Sequence, residues 1–168
     1  MQLWHPWRWL RDHHPDVDVV HVCLAGDRMA ETRGRVLSMD ARLTQAERRC
    51  TLTHEIVHIE RRGHEHVDPD VEERIVELET ARRLITPLQL VDAFRWLRHP
   101  NLHDLADHLW VDQQTALCRM ENLEPSEIAA IDVACDGEWS WRRVDITSDT
   151  IADPSGRSAP SPEGPSIP

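Results

Sequence analysis

The chain has 168 residues, with 30 acidic and 19 basic side chains and a formal net charge of -11. That length accommodates one catalytic domain with a small appendage, and the acidic balance argues against a large, sequence-independent grip on nucleic-acid phosphates. No apolar run is long enough to span a membrane, and charge and proline interrupt residues 1–10, unlike a secretory leader.

Trp4, Trp7, Trp9 and Leu10 open the chain, and their spacing predicts a short amphipathic helix packed on the core. Residues 17–24 are β-branched and partly alternating, and residues 35–40 form a second strand candidate. Gly26 and Gly34 bracket the connection between them, so a small sheet is expected ahead of the next helix. Of the four cysteines, Cys23, Cys50, Cys118 and Cys135, no two are spaced as C-x-x-C. A reduced, cytoplasmic setting is the simplest expectation, with Cys50 as a small core residue.

The next helix is expected to start near Thr44, with Glu47 three residues on completing a capping box. It carries His54-Glu55-Ile56-Val57-His58. Residues four apart share a helix face, so both histidines can offer a ring nitrogen to one tetrahedral ion. Glu55 is rotated by roughly 100° from His54 and stands beside such an ion rather than on it. There a carboxylate can take a proton from water activated by zinc, the arrangement of zinc peptidases. The apolar flanks Leu52, Ile56, Val57 and Ile59 predict a helix buried nearly all round, in which unpartnered polar side chains would be costly.

A catalytic zinc site needs a third protein ligand and an open position. His64 lies six residues after His58, but the glycine that would turn the chain toward it belongs at position 61, which is Arg61. The competing candidate is the E-x-x-x-E spacing of Glu73 and Glu77 on a following helix, beyond the breaks at Gly63 and Pro69. Glu73 is favoured as the ligand, with Glu77 orienting a zinc-bound histidine. Ile75, Leu78 and Leu84 or Ile85 are expected to mark a separate core-facing stripe. A bland alternative, a solvated acidic face, applies to Glu72, Glu73, Glu77 and Glu79.

Beyond Pro87, residues 88–97 read as a helix. Residues 102–123 have the spacing of a helix-turn-helix, with Leu105, Ala106, Leu109, Val111, Thr115, Leu117 and Leu123 as its apolar positions. A base-reading helix usually carries Arg or Lys at its exposed start. This one starts Asp112-Gln113-Gln114, with Arg119 as its only cation, so a packing or partner-docking unit is favoured over DNA binding. Pro125 begins one more short helix. From Ala152 onward 11 of 17 residues are Pro, Ser or Gly, which predicts a disordered tail over 152–168.

Together these features resemble the ImmA/IrrE family of zinc metallopeptidases, especially short forms from bacteriophages and mobile elements. The resemblance covers roughly residues 1–130. It rests on residues 47–58, on Glu73-Arg74-Ile75-Val76-Glu77, on residues 81–87, and on residues 105–111. It implies an α+β, mainly helical, zincin-like metallopeptidase core over 1–87, with a small N-terminal sheet. A helical, helix-turn-helix-like unit over 88–135 packs on that core. It also implies Zn2+ held by His54, His58 and Glu73, with Glu55 as general base. The implied setting is the cytoplasm of a bacterial host cell, and the implied partner is a helix-turn-helix repressor that such an enzyme would cut or inactivate. In the family Asn or Asp more often follows the ligand by one turn. Here Glu77 stands in that place, and Arg82-Arg83 stand where the family has an Ala-rich stretch, which leaves the choice between Glu73 and Glu77 open. The chain has no tyrosine to stabilise an oxyanion. His64 and His66, and further off His99 and His103, are the candidates for that role. A non-proteolytic, zinc-containing regulator that docks on a repressor or DNA is the alternative reading.

Overall fold

The computed structural model describes residues 4–142; the expected tail over 152–168 lies outside them. The fold is α+β. Among the described residues it has seven helices and a three-stranded sheet, ordered α1 (Pro6–His13), β1 (Asp18–Val22), β2 (Ala30–Arg33), β3 (Val36–Asp40), α2 (Gln45–Arg61), α3 (Pro69–Leu84), α4 (Pro87–Leu97), α5 (Leu102–Leu109), α6 (Gln113–Glu121) and α7 (Pro125–Ala134). None of these helices is long and apolar enough to cross a membrane.

The two expected strands are present as β1 and β3, which pair in parallel with Asp18 opposite Val36 and Val22 opposite Asp40. The connection between them holds β2, which pairs antiparallel with β3 and forms the sheet edge on the α2 side. Gly34, at φ +63°, supplies the left-handed residue in the tight β2–β3 connection. Leu37 and Met39 of β3 point into the core, where they meet Leu52, Ile56 and Ile59 of α2 and Leu10 of α1. The loop before β2 is tied down by Asp40. Its carboxylate accepts from the amide of Leu24 (3.0 Å), the amide of Arg42 (2.7 Å) and the Arg42 guanidinium.

Helix α2 begins with Thr44 as N-cap and a complete capping box with Glu47, as the spacing indicates. Leu52, Ile56, Val57 and Ile59 are buried on its flanks. The tryptophan helix α1 covers its back: the Trp4 indole donates to Thr53 Oγ1 (3.0 Å), and that of Trp9 donates to Glu60 Oε1 (2.7 Å).

Two buried arginines join the first half of the chain to the second. Arg49 on α2 donates to the carbonyls of Trp110 (2.8 Å) and Leu84 (3.3 Å), which lie at the C-terminal ends of α5 and α3. Arg119 on α6, only 1% exposed, donates from Nε to the Ile85 carbonyl and pairs with both carboxylate oxygens of Glu127. The carbonyls at helix C-termini lack intrahelical donors, and here a guanidinium supplies them. The one cation of α6 is thus engaged inside the protein. A single apolar cluster runs from Cys50 through Leu84, Ile85 and Phe94 to Leu105, Met120 and Ile131, so the α4–α7 unit shares its core with α2 and α3.

The core-facing side of α3 matches the expected stripe at Leu84 and Ile85 but differs from it at Ile75 and Leu78. Ile75 is 36% exposed and Leu78 half-buried, whereas Glu72, Val76, Thr80 and Leu84 turn inward. That row has the i, i+4 spacing of one helix face. It contains an acid and a threonine, so hydrophobicity alone points to the wrong side.

Candidate metal centre

The site forms where α2 and α3 pack side by side. Arg61, in the last turn of α2, donates to both carboxylate oxygens of Glu72 in the first turn of α3 (2.6 and 2.7 Å), and Glu72 Oε2 also accepts from the His66 amide (2.7 Å). Paired in this way, Glu72 is buried rather than part of a solvated acidic face. The Arg61 guanidinium holds its carboxyl down at about 2. Asp68 caps α3 through the amides of Asp70 and Val71, and Pro69 takes the first helical position. The clamp sets the register of α3 on α2 and delivers the next residue, Glu73, to the two histidines.

His54 Nε2 lies 3.1 Å from His58 Nε2 and 3.1 Å from Glu73 Oε1, while His58 Nε2 lies 3.4 Å from Glu73 Oε2. Bonds of about 2.0–2.1 Å in a tetrahedral zinc site imply ligand–ligand edges of about 3.3 Å, close to this triangle. Among the described residues these are the three side chains whose donor atoms gather within 4.8 Å of one another. Burial holds the His54 imidazole below its ordinary pKa, against the opposing pull of Glu73, so the ring presents a lone pair rather than a second proton. Two imidazoles and a carboxylate converging on one point form a donor set that fits a metal ion.

Glu55 stands next to this triangle. Its Oε2 accepts a hydrogen bond from Thr32 Oγ1 at 2.6 Å, which ties it to the edge strand β2. Thr32 belongs to no motif in the sequence. It sits in a four-residue, polar strand whose only local marker is the following glycine. Glu77 lies one turn beyond Glu73 and lines the same cavity. It acts on His54 through its charge, without a hydrogen bond to either ring.

The cluster opens into a cavity of about 560 Å³ walled by α2, α3, α6 and the entry to β2. Arg28 and Met29 line it from the β2 side, Cys50 and Thr51 from α2, and Thr80 from α3. The fourth wall is α6 with its cap, through Asp112, Gln114, Thr115 and Cys118. The glutamine at the start of that helix therefore faces the site. Burial pushes the Cys50 thiol up to about 12, so it stays a neutral wall residue. All four cysteines are free thiols.

The proposed oxyanion histidines are not among the cavity residues. His64 is exposed in the α2–α3 loop, and His66 Nδ1 accepts from the Asp68 amide (3.0 Å). His99 is bonded to Ser140 Oγ (3.0 Å), and His103 lies 3.5 Å from Asp107 on the exposed side of α5. Apart from His54, Arg28 is the one basic side chain among the described residues that lines the cavity.

No protein-family model matches the chain, and no curated protein or solved structure matches it either. The reading of the site rests on its own chemistry.

Proposed function

We propose that the chain is a zinc-dependent endopeptidase of the ImmA/IrrE type with a zincin-like catalytic core, acting in the bacterial cytoplasm on a helix-turn-helix repressor of a phage or mobile element. The observation that carries this reading is the triangle of His54, His58 and Glu73 with Glu55 held beside it by Thr32. Bound zinc would supply Lewis acidity, lowering the pKa of water and polarising a peptide carbonyl.

The remaining chemistry belongs to the chain. His54, His58 and Glu73 would hold the ion at the wall of the cavity. Glu55 accepts the proton of the attacking water and passes it to the leaving amine. With Oε2 occupied by Thr32, Oε1 is the oxygen left for that proton. The edge strand β2 borders the same cavity through Ala30, which suits an extended substrate added to the sheet by backbone pairing. Arg28 stands where a cation can face developing negative charge.

A second reading draws on the absence of tyrosine and the distance of the spare histidines from the cavity: a metal-containing regulator that docks on the repressor without cutting it. Glu55→Gln separates the two. With zinc supplied, the unaltered protein is expected to cut the repressor encoded beside its gene, and Glu55→Gln to keep its zinc and cut nothing. Undiminished derepression by Glu55→Gln in cells would overturn the peptidase reading in favour of docking.

A further inference from the structure

We propose that the cavity wall formed by α2, α3 and α6 is a recognition pocket for one substrate side chain next to the bond that is cut, and that it selects a short, uncharged, hydrogen-bonding side chain. The identity of the occupant rests on the peptidase reading; the pocket itself rests on the packing.

The cavity that holds His54, Glu55 and Glu73 extends without a break to Thr51, Thr80, Thr115 and Cys118. These four come from three helices, and all are small. On each helix the pocket residues fall on one face: Cys50, Thr51, His54 and Glu55 on α2, Glu73, Glu77 and Thr80 on α3, and Gln114, Thr115 and Cys118 on α6. Small side chains on three facing helices leave room at a place where Leu or Ile would have closed the core.

Most polar atoms of this wall are already satisfied. The Thr51 hydroxyl is directed at Met29 Sδ (3.7 Å), Cys50 Sγ accepts from the Asp112 amide (3.3 Å), and Asp112 Oδ1 caps α6 through the Thr115 amide (2.7 Å). Thr80 is the exception. It is 3% exposed, and its Oγ1 is buried with no hydrogen-bond partner. A buried hydroxyl without a partner is costly, and a ligand that brings a donor or acceptor removes that cost.

The charge of the pocket narrows the class. Glu55, Glu73, Glu77 and Asp112 repel a carboxylate side chain, and the room beside the small residues Thr51, Thr80, Thr115 and Cys118 suits a short side chain rather than the long stem of lysine or arginine. Side chains of the serine, threonine, asparagine and glutamine class meet both constraints. The surface continues past Glu77, Gln114 and Cys118 into a shallow depression bordered by Arg74, Ile75 and Leu78, which gives the rest of an extended peptide a path along α3 and α6.

The test uses the full chain loaded with Zn2+ and a peptide mixture randomised at one position. Peptides retained by the silent Glu55→Gln protein are identified by mass spectrometry, and new termini produced by the Glu55 protein are read from the same mixture. Retained and cut peptides are expected to be enriched at least five-fold in uncharged polar residues at one position. Thr80→Val, which matches threonine in shape and removes only the hydroxyl, is expected to shift that preference to aliphatic residues. Cys118→Met, which narrows the same pocket from α6, is expected to shift it to smaller ones. An unchanged preference in both variants overturns the pocket assignment, as does retention or cutting without preference. Selective retention with no cutting leaves the pocket in place and overturns the peptidase reading instead.

Discussion

The hydroxyl of Thr32 donates to Oε2 of Glu55 across 2.6 Å, joining the edge strand of the sheet to the residue beside the His54–His58–Glu73 triangle. One carboxylate oxygen is thereby fixed, and in the proposed mechanism the other takes the proton. Hydrogen bonds to charged groups contribute about 1.5–3 kcal/mol, of which part is spent on orientation. Thr32→Val is therefore expected to lower kcat by roughly ten-fold, about 1.4 kcal/mol in the barrier, with zinc content unchanged. Steady-state cleavage kinetics beside metal analysis check this; a loss of zinc would place Thr32 in the metal site rather than behind the base.

Glu73 and Glu77 separate on metal affinity. Glu73 closes the donor triangle, whereas Glu77 acts through its charge alone. Glu77→Ala is expected to weaken zinc binding by about ten-fold, at the low end of what residues behind a metal ligand contribute. Glu73→Ala is expected to weaken it by more than about 100-fold, beyond that range. Competition with a chromophoric chelator measures both, and the reverse order would make Glu77 the ligand.

The Arg61–Glu72 clamp makes the α2–α3 pairing acid-sensitive in a defined window. The Glu72 carboxyl is held down at about 2, below the ordinary glutamate value of about 4.3. A depressed acid contributes stability that is fully present above its unfolded pKa and is lost as pH falls through its folded one. Arg61→Leu is thus expected to be less stable than the unaltered chain at pH 6, with the gap closing between about pH 4 and pH 2. Denaturant titrations at pH 6, 4 and 2 read the gap. A gap that is constant with pH would show that Arg61 acts by packing.

Arg119 holds α6 against Ile85 and Glu127 from a fully buried position. Removing one partner of a buried ion pair costs about 3–5 kcal/mol. Arg119→Met is expected to lose about 3 kcal/mol and to lower Tm by roughly 10 °C. Since α6 walls the cavity, substrate KM is expected to rise as well. Thermal unfolding and cleavage kinetics test both, and a variant of unchanged Tm would contradict the structural role.

Much of this arrangement is legible in local sequence. The capping box at Thr44 and Glu47, the i, i+4 pair at 54 and 58, and the helix breaks at Pro69 and Pro87 are short-range signals, and each marks the element expected of it. Three features are not local. The strand Ala30–Arg33 is too short and polar to alternate visibly, so Thr32 escapes notice. The inward face of α3 includes Glu72 and Thr80, whose burial depends on Arg61 from another helix and on a cavity. The contribution of α6 to the site arises only when Arg49 and Arg119 lock it against α2 and α3. A helix-turn-helix spacing describes how α5 and α6 pack on each other. It leaves undetermined which surface α6 then covers.

The central claim is a zinc ion held by His54, His58 and Glu73. Anomalous diffraction recorded on either side of the zinc absorption edge, from crystals of protein purified with its native metal, tests it in one experiment. A single strong peak is expected within bonding distance of His54 Nε2, His58 Nε2 and a Glu73 carboxylate oxygen. A zinc peak on His64 or His66, or no zinc signal among these three side chains, would contradict it.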